Sequence, residues 1–216
     1  VSESPSVVTA RHFEYVAQRT DREDRFLADL KRAARRAGIP PIWISYPQAC
    51  LMQILLRLNR AKEVVEIGTL AGYSAIAMAR ALPEDGRVRT IELIEKHADF
   101  AEAWAAKSDV AGKVEVLRGD GRQVLKSLKK DSADAAFLDA DKASYPVYLA
   151  ESLRIVRRGG LVMVDNAFAF GELFADRPKD REVGAVRKFN DIMSKERRLQ
   201  SIIVPVGDGL WVGVKR

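Results

Sequence analysis

Residues 64–79 read VVEIGTLAGYSAIAMA, and this stretch decides the fold. Val64 to Ile67 is a short run with β-branched residues. Gly68 to Gly72 is a glycine-bearing turn, and Tyr73 opens a run of small and apolar residues. A strand feeding through such a turn into a helix is the opening unit of a parallel α/β sheet.

The same alternation continues downstream. Strands are expected at 63–67, 87–92, 113–118, 134–138 and 161–164, with helices at 73–82, 95–107, 121–129, about 144–157 and 182–197. Gly159-Gly160 reads as the stop of the helix before the fifth strand. The chain closes with 201–206, the turn Gly207-Asp208-Gly209 and 210–215, an antiparallel hairpin. The expected fold is therefore α/β: a Rossmann-like seven-stranded mixed sheet, mostly parallel, with helices on both faces. Upstream, 7–19, 21–37 and 48–59 read as helices, with Asp21 as N-cap of the second and Gly38, Pro40 and Pro41 ending it. The loop 39–47 holds Ile42, Trp43, Ile44 and Tyr46, which either tuck under a helix or form a lid or substrate wall.

Composition narrows the class. With 216 residues, 47% hydrophobic and 31% charged, the chain fits one globular domain. The lone Cys50 excludes a disulfide scaffold and a thiolate zinc site, and His12 and His97 are too few for a histidine-rich one. No run of about 18 apolar residues and no signal-type leader appear, so a cytoplasmic location is expected. The net charge is +6, with ten basic against six acidic residues in 1–60. That bias suits either an ordinary soluble surface or a phosphate-bearing partner.

In doubly wound sheets, ligands bind beyond the carboxyl ends of the strands. The first strand ends in Glu66-Ile67-Gly68-Thr69. This turn lacks the third glycine of a dinucleotide fingerprint, and it is either a plain tight turn or a ligand site. A carboxylate at Glu66 repels a pyrophosphate and attracts an ammonium or sulfonium. The helix start at Tyr73-Ser74 suits a carboxylate. Glu92 ends the second strand, where an acid commonly takes a ribose diol. Around Gly119-Asp120-Gly121-Arg122 an adenine edge is read by Asp120 or by backbone groups. The fourth strand runs into Asp139-Ala140-Asp141-Lys142 and the fifth into Asp165-Asn166. Oxygen donors without thiolate or imidazole suit Mg²⁺, Ca²⁺ or Mn²⁺. Solvated acids are the plain alternative, and for Asp141 a helix cap is as good a reading. Lys142 reaches the same centre and is a candidate base.

Together VVEIGTLAGYSAIAMA, the Glu92 strand end, FLDADK at 137–142 and VMVDN at 162–166 resemble the cation-dependent O-methyltransferases that include the caffeoyl-CoA and catechol enzymes. The resemblance runs from about residue 10 to the C-terminus. It implies S-adenosylmethionine as cofactor, with Ile44, Glu66, Gly68, Thr69 and Ser74 toward its methionine part. Glu92 then takes the ribose, and Gly121 and Asp141 lie beside the adenosine, with Asp139 also near the cofactor. Asp139, Asp165 and Asn166 are the implied cation ligands, and Lys142, with Asp139, the catalytic pair. The likeness also implies a homodimer, with residues 1–47 as a cap over substrate and dimer partner. After Asp165-Asn166 this chain reads Ala167-Phe168-Ala169-Phe170, so Phe170 replaces the polar contact of the plant enzymes. Trp43, Tyr46, Phe168 and Phe170 suggest an aromatic mouth for a small catechol-like phenol. A tRNA hydroxyuridine acceptor is the alternative.

Overall fold

The computed structural model describes residues 8–216, so the first seven residues of the expected cap lie outside it. Its strands are β1 Glu63–Ile67, β2 Arg87–Glu92, β3 Val114–Arg118, β4 Ala133–Leu138, β5 Val156–Val164, β6 Leu199–Val204 and β7 Leu210–Lys215. They form one sheet in the order β3-β2-β1-β4-β5-β7-β6. β1 to β5 are parallel, while β7 runs antiparallel to both β5 and β6. The helices are α1 Ala10–Arg19, α2 Arg25–Arg36, α3 Tyr46–Leu58, α4 Tyr73–Ala79, α5 Glu95–Ala105, α6 Gly121–Ser127, α7 Tyr145–Ile155 and α8 Val183–Lys195. The expected mixed sheet is thus the observed one, and no described helix is long and apolar enough to cross a membrane.

The two-residue period of the strands divides the core. Val64, Ala135, Phe137, Leu161 and Met163 face one layer with α2, α3 and α4. Their neighbours Val65, Ala136, Leu138, Val162 and Val164 face the other, with α7 and Phe189 and Met193 of α8. Both faces are covered, which is why these strands read as nearly continuous apolar runs.

Two local expectations are corrected. The N-cap of α2 is Asp24, whose carboxylate accepts from Leu27 N at 2.8 Å, and not Asp21. Gly159-Gly160 does not cap α7, which ends at Ile155. The pair lies inside β5, where the register with β4 jumps from Ala133↔Val156 to Ala135↔Leu161. Gly159 has φ +76°, and a Cβ at Gly160 would sit 2.5 Å from the Asp134 carbonyl oxygen. The glycines therefore serve a strand irregularity with close backbone approach.

The sheet reverses direction of winding between β1 and β4. Gly68 makes that crevice: its φ is +100°, and a Cβ there would lie 1.9 Å from the Asp139 carbonyl oxygen. Only glycine lets the two strand ends approach this closely.

Candidate active site

A cavity of about 1090 Å³ opens over the carboxyl ends of the parallel strands. Ile67, Gly68, Thr69 and Ser74 form its floor beside β1. Glu92 stands at the tip of β2, its two carboxylate oxygens accepting from Leu70 N at 2.8 Å and Ile94 N at 2.9 Å. Gly121 and Asp141 line the far side, and Ile44 and Trp43 close the cavity from the N-terminal loop.

That loop does both things the sequence left open. Ile39 and Ile44 are buried, whereas Ile42 is exposed and Trp43 faces the cavity. Arg35 of α2 lies over the Trp43 ring, 4.9 Å from its centroid. The N-terminal segment is thereby tied to the mouth.

Lys142 and the acids gather at the tips of β4 and β5. Lys142 is buried in the short turn before α7, with Nζ 3.1 Å from Asp139 Oδ1 and 2.7 Å from the Tyr145 hydroxyl. Asp141 caps that turn, accepting from Ser144 N at 3.1 Å, and also accepts from the Tyr148 hydroxyl at 2.7 Å. Asp165 is buried on the adjacent tip, its amide donating to the Leu138 carbonyl at 3.0 Å. Burial, then the neighbouring Asp139 charge, raises its carboxyl well above the ordinary range. Asn166 follows with φ +64°, and its Nδ2 donates to Asp208 Oδ2 at 3.1 Å.

These groups fit a hard cation. Asp165 is buried and Asp139 half-buried beside it, and two such neighbouring carboxylates repel unless a proton or cation lies between them. With Asn166 Nδ2 turned to Asp208, its amide oxygen is the end left for a cation, and all three donors are oxygens. Among the described residues no group of three or more His, Cys, Asp or Glu side chains forms a metal cage by itself. A cation held here would take its third protein oxygen from Asn166.

Three expected site residues are not on the cavity wall. Glu66 is fully buried behind Gly68 and Thr69, Oε2 accepting from the Thr90 hydroxyl at 2.5 Å and Oε1 without a partner. Thr90 Oγ1 in turn meets Thr69 Oγ1 at 2.6 Å, which links Glu66 to the floor. Tyr46 packs against the α2–α3–α4 layer, because it occupies the first turn of α3 rather than the loop. Phe168 lies against Gly209, where a Cβ would come within 2.8 Å of its ring, so it supports the hairpin turn and only Phe170 reaches the cavity.

Burial, aided by the Asp139 and Glu92 charges and opposed by the Thr90 hydroxyl, pushes Glu66 up to about 8. The folded chain thus holds a proton that the unfolded chain, titrating near 4.5, has released. Folding stability must fall as pH rises through that window. Glu66→Gln is expected to unfold at a higher temperature than the wild type at pH 8. The gap should close toward pH 4.5, at about 1.4 kcal/mol per pH unit. Thermal unfolding at pH 5 and pH 8 checks this, and an equal gap at both would remove the buried proton from Glu66.

Sequence reasoning missed Gln48, Tyr145, Glu182 and Asp208. Asp208 was read only as a turn residue, yet its carboxylate accepts from Asn166 Nδ2, Phe170 N and Gly171 N. It holds a loop in which Asn166, Ala169 and Phe170 all have positive φ. An acid between two glycines in a hairpin tip was the available signal.

Comparison with known proteins decides the lineage: residues 17–216 match the O-methyltransferase family. The chain belongs to the O-methyltransferase family. This O-methyltransferase is 33% identical over 204 residues to a catechol O-methyltransferase of Niastella koreensis, covering 93% of this chain and 90% of that one. An O-methyltransferase from Bacillus cereus, solved in complex with SAH, superposes with a TM-score of 0.84 at 30% identity. It covers 95% of this chain and 97% of its own. The O-methyltransferase TomG from Streptomyces achromogenes, solved with SAM, gives 0.82 at 32% identity, covering 95% and 96%.

Proposed function

We propose that this O-methyltransferase uses S-adenosylmethionine and a divalent cation to methylate one hydroxyl of a small catechol-like phenol. The observation that carries the reading is the junction of Lys142, Asp139, Asp165 and Asn166 beside a glycine-floored cofactor cleft. Gly68, Thr69, Ser74 and Ile44 hold the methionine part, with Glu66 supporting the floor through Thr90 and Thr69. Glu92 accepts from the ribose hydroxyls, and Gly121 and Asp141 border the adenosine. Asp139, Asp165 and Asn166 hold the cation.

When bound, the sulfonium supplies an electrophilic methyl and the cation lowers the pKa of a chelated diol. The protein's own part is positional. Lys142 Nζ, held between Asp139 and Tyr145, steers the reacting hydroxyl as an ammonium and takes its proton only in the neutral amine form. Trp43 and Phe170 flank a flat ring at the mouth and keep acceptor and methyl in line.

Charge argues against a phosphate-bearing acceptor. The cavity is lined by the carboxylates of Glu92, Asp120, Asp139, Asp141, Asp165, Asp180, Glu182 and Asp208. Its lysine and arginine, Lys142 and Arg122, are each paired with an aspartate, and its His97 lies 3.7 Å from Glu92. An acidic pocket in a chain of net charge +6 attracts a sulfonium and a metal ion and repels tRNA or a CoA ester. A neutral small phenol therefore takes precedence over the tRNA alternative. A second copy covering exposed Tyr15 and Val16 of α1 and Ile54 and Leu58 of α3 is the matching homodimer proposal. The single free Cys50 suits a reducing cytoplasm.

The test is methyl transfer from labelled S-adenosylmethionine to caffeic acid, with Mg²⁺ and with EDTA. Turnover is expected with Mg²⁺ and none with EDTA. Turnover untouched by EDTA removes the cation from Asp139, Asp165 and Asn166. No turnover with cofactor still bound moves the assignment to a larger acceptor.

A further inference from the structure

We infer that Gln48 is a positioning residue for the cation site, delivered to it by the N-terminal segment of the chain. The inference rests on the cation reading above and deepens it.

Gln48 lies in the first turn of α3 and is 1% exposed. Its Nε2 donates to Asp165 Oδ1 at 2.8 Å, a contact across 117 residues of sequence. Among the described residues it is the only side chain that donates a hydrogen bond to that carboxylate. The NH₂ end of the amide faces Asp165. The carbonyl end then points at the 207–209 turn. A Cβ on Gly207 would lie 2.1 Å from Gln48 Oε1, so the turn closes directly onto the amide.

Two amides thus hold the end of β5 to the rest of the fold. Gln48 ties Asp165 to α3, and Asn166 is tied to Asp208 on the turn that Gln48 also touches. A carboxylate with one oxygen occupied by a fixed donor has one rotamer and presents its other oxygen in a set direction. Partners of this kind hold metal ligands in the orientation needed for binding, and their loss costs about 10–100-fold in metal affinity. The Ser45 hydroxyl, accepting from Gln48 N at 3.4 Å, fixes the helix turn that delivers the amide. Trp43 and Ile44 lie just upstream, so the mouth loop and Asp165 are anchored by the same helix start.

The experiment measures Mn²⁺ binding to the full-length chain from the EPR signal of the free ion, beside SAH binding by calorimetry. Gln48→Met keeps the unbranched length and removes the donor. It is expected to weaken Mn²⁺ binding by about 10–100-fold with SAH affinity unchanged. Wild-type Mn²⁺ affinity in this variant overturns the inference and leaves the cation reading intact. Equal losses of Mn²⁺ and SAH affinity mark a general packing role and also overturn it. A wild-type chain that binds no Mn²⁺ overturns both the inference and the cation reading. Gln48→Glu keeps the test open if the methionine variant does not fold. It sets a carboxylate against Asp165, so it should melt below the wild type without metal and gain more in melting temperature on adding Mn²⁺. A Mn²⁺ response equal to that of the wild type overturns the inference.

Discussion

Lys142→Met is expected to lower kcat by about 10²–10⁴-fold, the usual contribution of a positioned acid or base. The lysine is buried and its Nζ has two partners, Asp139 Oδ1 and the Tyr145 hydroxyl. Neither partner can replace it. Burial and the charges of Asp139 and Asp165 hold the Tyr145 proton in place, far above the ordinary phenol range. Methionine keeps an unbranched apolar side chain and removes the Nζ that lies near the Tyr145 and Phe170 rings. Removing the ammonium also takes away a charge that competes with a cation for Asp139. Mn²⁺ binding should therefore hold or improve while turnover collapses. Single-turnover kinetics with parallel SAH binding checks this. An unchanged kcat would reassign Lys142 to holding Asp139 in place.

Asp165→Ala is expected to remove cation-dependent turnover, by about 10³-fold, the scale of several kcal/mol of lost charge stabilisation. SAH binding should survive, because the cleft floor at Gly68, Thr69 and Ser74 belongs to the β1–α4 turn and the start of α4. Stability should move the opposite way. Asp165 is a buried acid whose charged form is disfavoured by desolvation and by Asp139. Removing it relieves that cost in the metal-free protein, so the variant is expected to melt at or above the wild type at pH 8. Such a trade between stability and activity is common where a site concentrates like charges. Turnover that remains sensitive to EDTA in this variant would move the cation away from β5.

Much of this could be read along the chain. Strands and helices alternate at the expected places, and right-handed crossovers put every parallel strand end on one edge. That rule alone brings Asp139, Lys142, Asp165 and Asn166 together, because each follows a strand by one to four residues. Glu92 was legible for the same reason.

What escaped the sequence depended on where side chains point once the layers pack. Glu66 looked like a ligand contact at a turn, but its strand position turns it inward beneath Thr69. Tyr46 and Phe168 looked like mouth aromatics, yet one belongs to a helix start and the other supports Gly209. Gly159-Gly160 looked like a helix stop, and the β4–β5 pairing shows a strand irregularity. Gln48 gave no local sign and Asp208 only its place between two glycines, since their contacts with Asp165 and Asn166 come from distant segments. Period and turn chemistry are local properties, so the linear chain determined the order of elements and the edge that carries the chemistry. Side-chain direction and long-range hydrogen bonds depend on how those elements pack, and only the tertiary structure decided them.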